Sequence, residues 1–278
     1  MANYHIHLIS DSTGETVNSV VRSAMSQFDN IDYEEHTWSL VRTPGQMQRV
    51  CEEISESPGP VLFTVIDRDL QAMLIKHCRK LRIPCIPVLN KVIKEFSSYF
   101  GVEAKYQTGK QYELDEEYFQ KVDAIHFTLA HDDGAETDSL EEADIVLVGA
   151  SRTSKTPTCV YLAYRGLNAA NVPFVNGVDL PETLFKLEKP LVVGLYIQPE
   201  RLGQIRKSRL SSLNEQSNTN YVNLESIVDE VQQSRRIFTS QLWPVIDVTR
   251  KSVEETSAQI MQLYSDHCER LGIPKKQY

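Results

Sequence analysis

The sequence predicts an α/β protein with two domains, each built around a mainly parallel sheet. Short apolar segments rich in β-branched residues alternate with longer segments of helical periodicity. Such alternation is typical of a parallel sheet covered by helices. It weakens into polar and aromatic residues from Lys91 to Gln120 and then resumes toward the end of the chain. We therefore expect an N-terminal α/β domain at residues 1–108 and a C-terminal α/β domain at residues 109–278.

The N-terminal domain is expected to contain four strands with helices between them. The strand candidates are short and apolar: His5–Ile9, His36–Val41, Val61–Ile66 and Cys85–Leu89. The helical candidates are Glu15–Phe28, Gln46–Ile54 and Leu70–Leu81. The first strand leads into a polar turn, Ser10–Thr16, which contains no lysine. This turn could bind an anion, but a structural or regulatory role is the favoured interpretation.

The C-terminal domain is expected to continue the same alternation. Its strand candidates are Ala143–Val148, Val172–Val175, Leu191–Ile197 and Trp243–Val248. Its helical candidates are Thr158–Asn168, Pro199–Leu210, Leu224–Phe238 and Ser252–Leu263. Ser252 and Glu255 have the spacing of a capping box at the start of the last helix. The polar segment Ser208–Asn223 is predicted to be a mobile loop or lid.

The composition argues against several kinds of partner and setting. The 278 residues have a formal net charge of −9, whereas binding of nucleic acid would need a basic face. No segment approaches the ~20 apolar residues that cross a bilayer, and the first residues lack the pattern of a signal peptide. The five cysteines are scattered, without the spacing of a disulfide framework or a zinc site. We expect a reduced, cytoplasmic protein with no nucleic-acid or membrane partner.

The strongest functional signal is the segment from Gly149 to Thr156, which follows the predicted strand that ends at Val148. A phosphate-binding loop (P-loop) has the pattern G-x-x-x-x-G-K-[ST] between a strand and a helix. Lys155 and Thr156 occupy the lysine and hydroxyl positions, whereas Ser154 replaces the second glycine. The C-terminal domain is therefore predicted to be P-loop kinase-like. The residues expected to bind the nucleotide are Gly149, Ala150, Ser151, Arg152, Thr153, Ser154, Lys155 and Thr156.

The residue types of this loop suit phosphate chemistry. Backbone N–H groups at the start of a helix bind phosphate oxygens, with help from the helix dipole. Lys155 would neutralise charge on the terminal phosphates, and Thr156 would ligate Mg²⁺. Arg152 would add a second cation beside the transferred group. A strand–turn–helix without a ligand is the alternative interpretation.

Three aspartates are candidates for the catalytic base. Asp132 and Asp133 lie in the polar cluster Thr128–Gly134, and Asp179 follows the strand Val172–Val175. A positioned carboxylate can accept the proton of an attacking hydroxyl. Adjacent side chains on an extended segment point to opposite sides, so only one of the two neighbouring aspartates is expected to face the site. A plain turn is the alternative for each of them.

A basic helix is predicted to supply cations from a lid. Arg201, Arg206 and Arg209 lie on the segment Pro199–Leu210, where they could contact a bound phosphate. A solvated helix face would explain the same residues without a ligand.

Five segments together resemble one protein family. Ile9–Thr16, Thr128–Gly134, Gly149–Pro157, Ala170–Pro173 and Trp243–Thr249 look like motifs, in the same order, of the bifunctional regulatory proteins of pyruvate, phosphate dikinase and of phosphoenolpyruvate synthase. The resemblance covers essentially the whole chain, and the loop SRTSKTP is far more specific than a generic P-loop. The form of the first segment and the Thr153-Ser154 pair favour the dikinase branch.

The resemblance implies two opposed reactions on one partner enzyme. ADP would donate its β-phosphoryl group to a threonine of pyruvate, phosphate dikinase and inactivate it. Inorganic phosphate would remove that group as pyrophosphate and restore activity. The resemblance further implies that Gly149–Thr156 binds ADP, that Lys155 stabilises the transferred group, and that Asp132, Asp133 or Asp179 is the base. We also expect bound Mg²⁺ and a homodimer.

Three other hypotheses stay open on the sequence alone. The same chemistry could act on phosphoenolpyruvate synthase. A small-molecule P-loop kinase would also fit the arginine helix and the closing segment Trp243–Leu263. In a non-catalytic nucleotide sensor, the loop would bind nucleotide while the acidic clusters are structural.

Overall fold

The computed structural model describes residues 4–106, 116–213 and 219–276. It separates into two compact units, Met1–Glu113 and Leu114–Tyr278. The predicted domain boundary, between residues 108 and 109, lies outside the described residues. Within the described ranges, no helix is both long and apolar enough to span a membrane.

The N-terminal unit contains one four-stranded sheet. Its strands are β1 (Tyr4–Ile9), β2 (Tyr33–Trp38), β3 (Val61–Phe63) and β4 (Cys85–Pro87), in the order β2-β1-β3-β4. The helices are α1 (Glu15–Met25), α2 (Pro44–Glu56), α3 (Arg68–Leu81) and α4 (Asn90–Phe100). The strand pairs are parallel, which confirms the α/β prediction for this half of the chain.

Local sequence signals define where helices of this unit begin. Thr43 and Gln46 form a capping box at the start of α2. Asp67 accepts hydrogen bonds from the backbone N–H groups of Asp69 and Leu70 and so caps α3. The polar turn after β1 is fixed to the segment that follows β3, since Asp11 Oδ2 accepts a hydrogen bond from the backbone N–H of Ile66 at 2.8 Å.

α1 ends at Met25 rather than Phe28 and β3 at Phe63 rather than Ile66, and two further elements of the N-terminal unit differ more from the prediction. β2 spans Tyr33–Trp38 rather than His36–Val41, because it pairs with β1 from Tyr33 onward and the chain turns at Leu40, whose φ is 59°. Helix α4 lies in the stretch that the sequence pattern left without structure. Its large apolar side chains, including Phe96 and Phe100, are exposed.

The C-terminal unit contains a second four-stranded sheet. Its strands are β5 (Ile145–Ala150), β6 (Ala169–Phe174), β7 (Leu191–Tyr196) and β8 (Val245–Asp247), in the order β6-β5-β7-β8, and the pairs are parallel. The helices are α5 (Glu116–Ala130), α6 (Lys155–Tyr164), α7 (Pro199–Leu213), α8 (Thr219–Val222), α9 (Leu224–Ser240) and α10 (Val253–Leu271). Short 3-10 helices occupy Asp132–Gly134, Thr137–Glu142 and Glu182–Lys186. The mainly parallel sheet predicted for this domain is confirmed.

Strand β5 forms the centre of this unit because both of its faces are covered. Ile145 and Leu147 pack in one hydrophobic cluster, and Val146 and Val148 pack in another on the opposite face. A strand that is buried on both faces has a continuous run of apolar residues, and this makes β5 recognisable in the sequence. The capping box of Ser252 and Glu255 at the start of α10 is confirmed as well.

One segment predicted to be a loop is helical. Helix α7 continues to Leu213, so the first part of Ser208–Asn223 is not a loop, and α8 occupies Thr219–Val222. Residues 214–218 lie outside the described part of the chain. The buried residues Leu202 and Arg206 anchor α7 in the unit, an interaction that the polar composition of its end does not reveal.

Candidate active site

The predicted phosphate loop connects β5 to α6 at the carboxyl edge of the second sheet. β5 lies between β6 and β7, so the connections that follow β5 and β6 run to opposite sides of it. In open parallel sheets, ligands bind in the crevice at such a switch point. The fold therefore places the loop where a ligand site is expected.

Close packing requires glycine at the start of the loop. A Cβ atom at Gly149 would lie 2.5 Å from the backbone oxygen of Leu195 and 2.8 Å from Thr153 Oγ1. Thr153 Oγ1 donates a hydrogen bond of 2.9 Å to the backbone oxygen of Ala150 and closes the loop from inside. The loop geometry thus depends on a missing side chain at one end and a buried hydroxyl near the other.

Ser154 adopts the backbone conformation for which glycine is favoured in this motif. Its φ is 61° and that of Arg152 is 75°, both in the left-handed region. Ser154 is the N-cap of α6, and within the described residues it makes no side-chain hydrogen bond to the first amides of the helix. Uncapped N–H groups at a helix start are the groups that bind phosphate.

Lys155 lies beneath the loop. The residue is 5% exposed, and its Nζ donates a hydrogen bond of 3.1 Å to the backbone oxygen of Ala150. Burial lowers the pKa of Lys155 to about 8, and the charge of Asp133 opposes that shift. A buried ammonium group with a single described hydrogen bond has donors left for an anion.

Both aspartates of the polar cluster lie beside the loop. Thr156 Oγ1 donates a hydrogen bond of 2.8 Å to Asp132 Oδ1, and Asp133 lines the cleft above the loop. Of the two, Asp133 is the one among the lining residues of the cleft, although the cluster is not the extended segment from which the expectation of a single facing aspartate was argued. Helix α5 ends at Ala130, and a 3-10 turn follows in which Asp133 has a φ of 49°.

Asn171 holds this acidic turn against the sheet, and the sequence analysis gave it no role. The residue is buried on β6, where its Nδ2 donates to Asp132 Oδ1 and its Oδ1 accepts from the backbone N–H of Asp133 at 3.2 Å. A polar residue within an otherwise apolar strand was the available signal, since buried amides need partners.

The three predicted lid arginines have different settings. Arg206 is buried, where its guanidinium forms a two-pronged ion pair with Glu230 at 2.8 and 3.0 Å and donates to the backbone oxygen of Ser151 at 3.1 Å. It therefore supports the loop from behind. Arg201 and Arg209 line a second depression on α7, which shares Ile205 with the cleft above the loop. The importance of Glu230 was missed because its partner is 24 residues away in the chain.

Asp179 is exposed in the turn after β6. It is not among the described residues that line the cleft. Of the three aspartates considered, the structure thus brings Asp132 and Asp133 to the loop.

The loop forms the floor of a cleft of about 320 Å³. That volume is at the lower end of the range for small-molecule sites. The cleft is lined by Asp133, Ser151, Arg152, Ser154, Lys155, Thr156, Pro157, Pro173 and Ile205. Cations, a hydroxyl group and a carboxylate therefore converge on one opening, as phosphoryl transfer requires.

Comparisons with known proteins identify the family of the chain. Residues 6–261 match the family described as kinase/pyrophosphorylase. A protein of Paramagnetospirillum magneticum named as a pyruvate, phosphate dikinase regulatory protein is 50% identical over 98% of this chain and 88% of its own length. Similarly named proteins of Erythrobacter litoralis (46% identical, 98% of both chains) and Caulobacter vibrioides (48% identical, 94% of this chain and 83% of its own) also match. The chain belongs to the kinase/pyrophosphorylase family of phosphotransferase enzymes.

Proposed function

We propose that the chain regulates pyruvate, phosphate dikinase by adding a phosphoryl group from ADP to a threonine of that enzyme and by removing it again with inorganic phosphate. The observation that carries the proposal is the cleft that Lys155, Thr156 and Asp133 line together. The names of the relatives supply the partner. The predicted cytoplasmic setting and homodimer are part of this proposal.

The residues at the loop fit a phosphate chain and a magnesium ion. Thr156 Oγ1 and Asp132 Oδ1 are 2.8 Å apart, and hydroxyl and carboxylate oxygens are ligands that Mg²⁺ prefers. Mg²⁺ would neutralise charge on the phosphate oxygens. The amides at the start of α6 and the ammonium group of Lys155 would hold the transferred group, which is the β-phosphate of ADP in one direction and the phosphoryl group of the phosphothreonine in the other.

In the inactivating direction, the threonine hydroxyl of the dikinase attacks the β-phosphorus of ADP. The bond from the threonine oxygen to phosphorus forms, the bond to the bridging oxygen breaks, and AMP leaves. Asp133 accepts the hydroxyl proton, because it lines the cleft while Asp132 is already bonded to Thr156 and Asn171. Lys155 and Arg152 stabilise the charge on the moving phosphoryl group.

In the activating direction, an oxygen of inorganic phosphate attacks the phosphothreonine. A new phosphorus–oxygen bond forms pyrophosphate, and the threonine oxygen leaves with the proton that the attacking phosphate gives up. Asp133 relays that proton. One phosphate cradle serves both directions because the attacking phosphate takes the position that the α-phosphate of ADP occupies next to the transferred group.

The deciding experiment incubates the protein with purified dikinase or phosphoenolpyruvate synthase and with either ADP or ATP. We expect a phosphothreonine on the dikinase and stoichiometric AMP with ADP, and no modification with ATP. Later addition of phosphate should release pyrophosphate. Modification of the synthase alone would move the activity to that target. ATP turnover with a metabolite and no protein modification would overturn the proposal.

A further inference from the structure

Four side chains that can bind a metal ion lie on one face of β1 and β2. The two strands pair in parallel with His5 opposite Glu34 and His7 opposite His36. Side chains alternate between faces along a strand, so residues two apart on each strand share a face. β2 is the edge strand of its sheet, and Glu34 is exposed there, so the cluster is accessible from solvent.

The ligand atoms of three of these residues converge. Nδ1 of His5 is 3.0 Å from Nε2 of His36 and 3.7 Å from Oε2 of Glu34. All three residues have ligand atoms within 4.8 Å of one another. Two imidazole nitrogens at 3.0 Å are bridged either by a hydrogen atom, with one ring donating to the other, or by a metal ion, because two facing lone pairs would repel.

His7 orients the cluster without being a ligand. Its Nε2 donates to the backbone oxygen of Ser57 at 2.8 Å, and its Nδ1 faces Nε1 of Trp38 at 3.5 Å. Both ring nitrogens are therefore occupied. The ring of His7 stacks on that of His36, with centroids 4.7 Å apart, and so fixes the plane of His36. A held ring is what an imidazole ligand needs in order to bind a metal at low entropic cost.

We propose that His5, Glu34 and His36 bind one divalent transition-metal ion, with zinc as the best match, through two imidazole nitrogens and one carboxylate oxygen. In a tetrahedral zinc site with bonds of ~2.0 Å, neighbouring ligand atoms are roughly 3.3 Å apart. The distances of 3.0 and 3.7 Å bracket that value. Two nitrogens and one oxygen leave the fourth position to water, as in other three-ligand zinc sites.

The ion would join the edge strand to its neighbour. Glu34 and His36 belong to β2 and His5 belongs to β1, so coordination links the two strands near their amino ends. Edge strands are the least secured part of a sheet. Zinc binding should therefore raise the thermal stability of the protein, because a ligand that binds the folded state preferentially stabilises it. This site does not depend on the proposed phosphoryl-transfer function.

The test is titration of the metal-free full chain with Zn²⁺ in competition with a chromophoric chelator. We expect one high-affinity site per chain. His36→Gln and Glu34→Gln should each weaken it by at least the ~10–100-fold that loss of an outer partner of a metal site costs. His77→Gln is the matched control, since His77 is another half-buried histidine of the same unit that bonds to Ser55. It should leave the affinity unchanged.

A Co²⁺ spectrum tells the ligands apart. We expect intense d–d bands of a tetrahedral site without the charge-transfer band of a thiolate, since the proposed ligands contain no sulfur. A thiolate band, or zinc binding that survives both His36→Gln and Glu34→Gln, would overturn the proposal and move the ion to the cysteines. Absence of binding to the wild-type chain would also overturn it. Glu34→Gln keeps the test decisive if His36→Gln fails to fold, because Glu34 is exposed and the exchange is isosteric.

Discussion

The hydroxyl group of Thr156 donates a hydrogen bond of 2.8 Å to Oδ1 of Asp132, which joins the first turn of α6 to the acidic turn after α5. This contact links the predicted phosphate loop to a segment more than twenty residues earlier in the chain. It gathers two oxygen ligands suitable for magnesium at one edge of the cleft. Asn171 donates to the same carboxylate oxygen and fixes its position.

Thr156→Val should lower Mg²⁺-dependent phosphoryl transfer by at least ~100-fold, because it removes an oxygen that would ligate the metal while preserving shape. The matched control is Thr158→Val on the same helix. Thr158 Oγ1 is buried and has no hydrogen-bond partner among the described residues, so its loss should be neutral or stabilising. Initial rates of AMP formation at several Mg²⁺ concentrations measure the activity of both variants. Equal rates for the two variants would contradict the role of Thr156.

Asp133→Asn should reduce kcat in the ADP-dependent direction by ~10²–10⁴-fold, the range expected for loss of a general base. The side chain keeps its volume and lines the same cleft, so KM for ADP should change little. Asp179→Asn serves as the control because Asp179 is exposed in the turn after β6. If steady-state kinetics show a larger loss of kcat for Asp179→Asn than for Asp133→Asn, the base is Asp179 instead.

ADP should bind more weakly as the pH rises above about 8. Burial lowers the pKa of Lys155 to about 8 in the free protein, so its ammonium group loses its proton above that pH. A bound phosphate favours the charged form and raises that pKa, so binding takes up a proton in this range. Affinity is therefore full below the lowered pKa and falls by up to ~10-fold per pH unit above it. Calorimetric titrations of wild type and Lys155→Met from pH 7 to pH 10 measure this slope, and a variant with the same slope would contradict the assignment.

Glu230→Gln should destabilise the protein by about 3–5 kcal/mol, because it leaves the charge of a buried guanidinium without its counter-ion. The side chains of Arg206 and Glu230 are 3% and 11% exposed. Since Arg206 also holds the backbone oxygen of Ser151, KM for ADP should rise as well. Urea unfolding measures the first effect. The double variant Arg206→Met/Glu230→Gln should lose less free energy of unfolding than the two single variants lose together. Additive losses would argue against a coupled pair.

Gly149→Ala should destabilise the protein by more than ~1–3 kcal/mol, because the added Cβ would lie 2.5 Å from the backbone oxygen of Leu195, which cannot rotate away. Gly45→Ala provides the control. A Cβ there meets no described heavy atom within 4 Å, and the residue lies in helix α2, so the change should be neutral or stabilising by up to ~1 kcal/mol. Thermal unfolding of the two variants in parallel measures both effects. Equal shifts of the two unfolding midpoints would contradict this interpretation.

Much of the fold was predictable because its signals are local. Buried parallel strands such as β5 are continuous apolar runs, and α2, α3 and α10 begin at side-chain caps. Helix α4 was missed even though Val92, Phe96 and Phe100 recur at helical spacing, and these side chains are exposed in the structure. The predicted position of β2 was wrong because the strand contains Glu34 and Glu35. Its bounds are set by pairing with β1 rather than by residue preference.

The sequence by itself determined the α/β class and predicted a phosphate loop with a cation and a hydroxyl group in it, because these depend on residues that are adjacent in the chain. Tertiary structure alone decided which carboxylates meet that loop, that Arg206 turns inward to Glu230, and that His5, Glu34 and His36 come together. Each of these joins elements that lie far apart along the chain. Distances between such side chains follow from strand register and helix packing, and no spacing in a linear sequence specifies them.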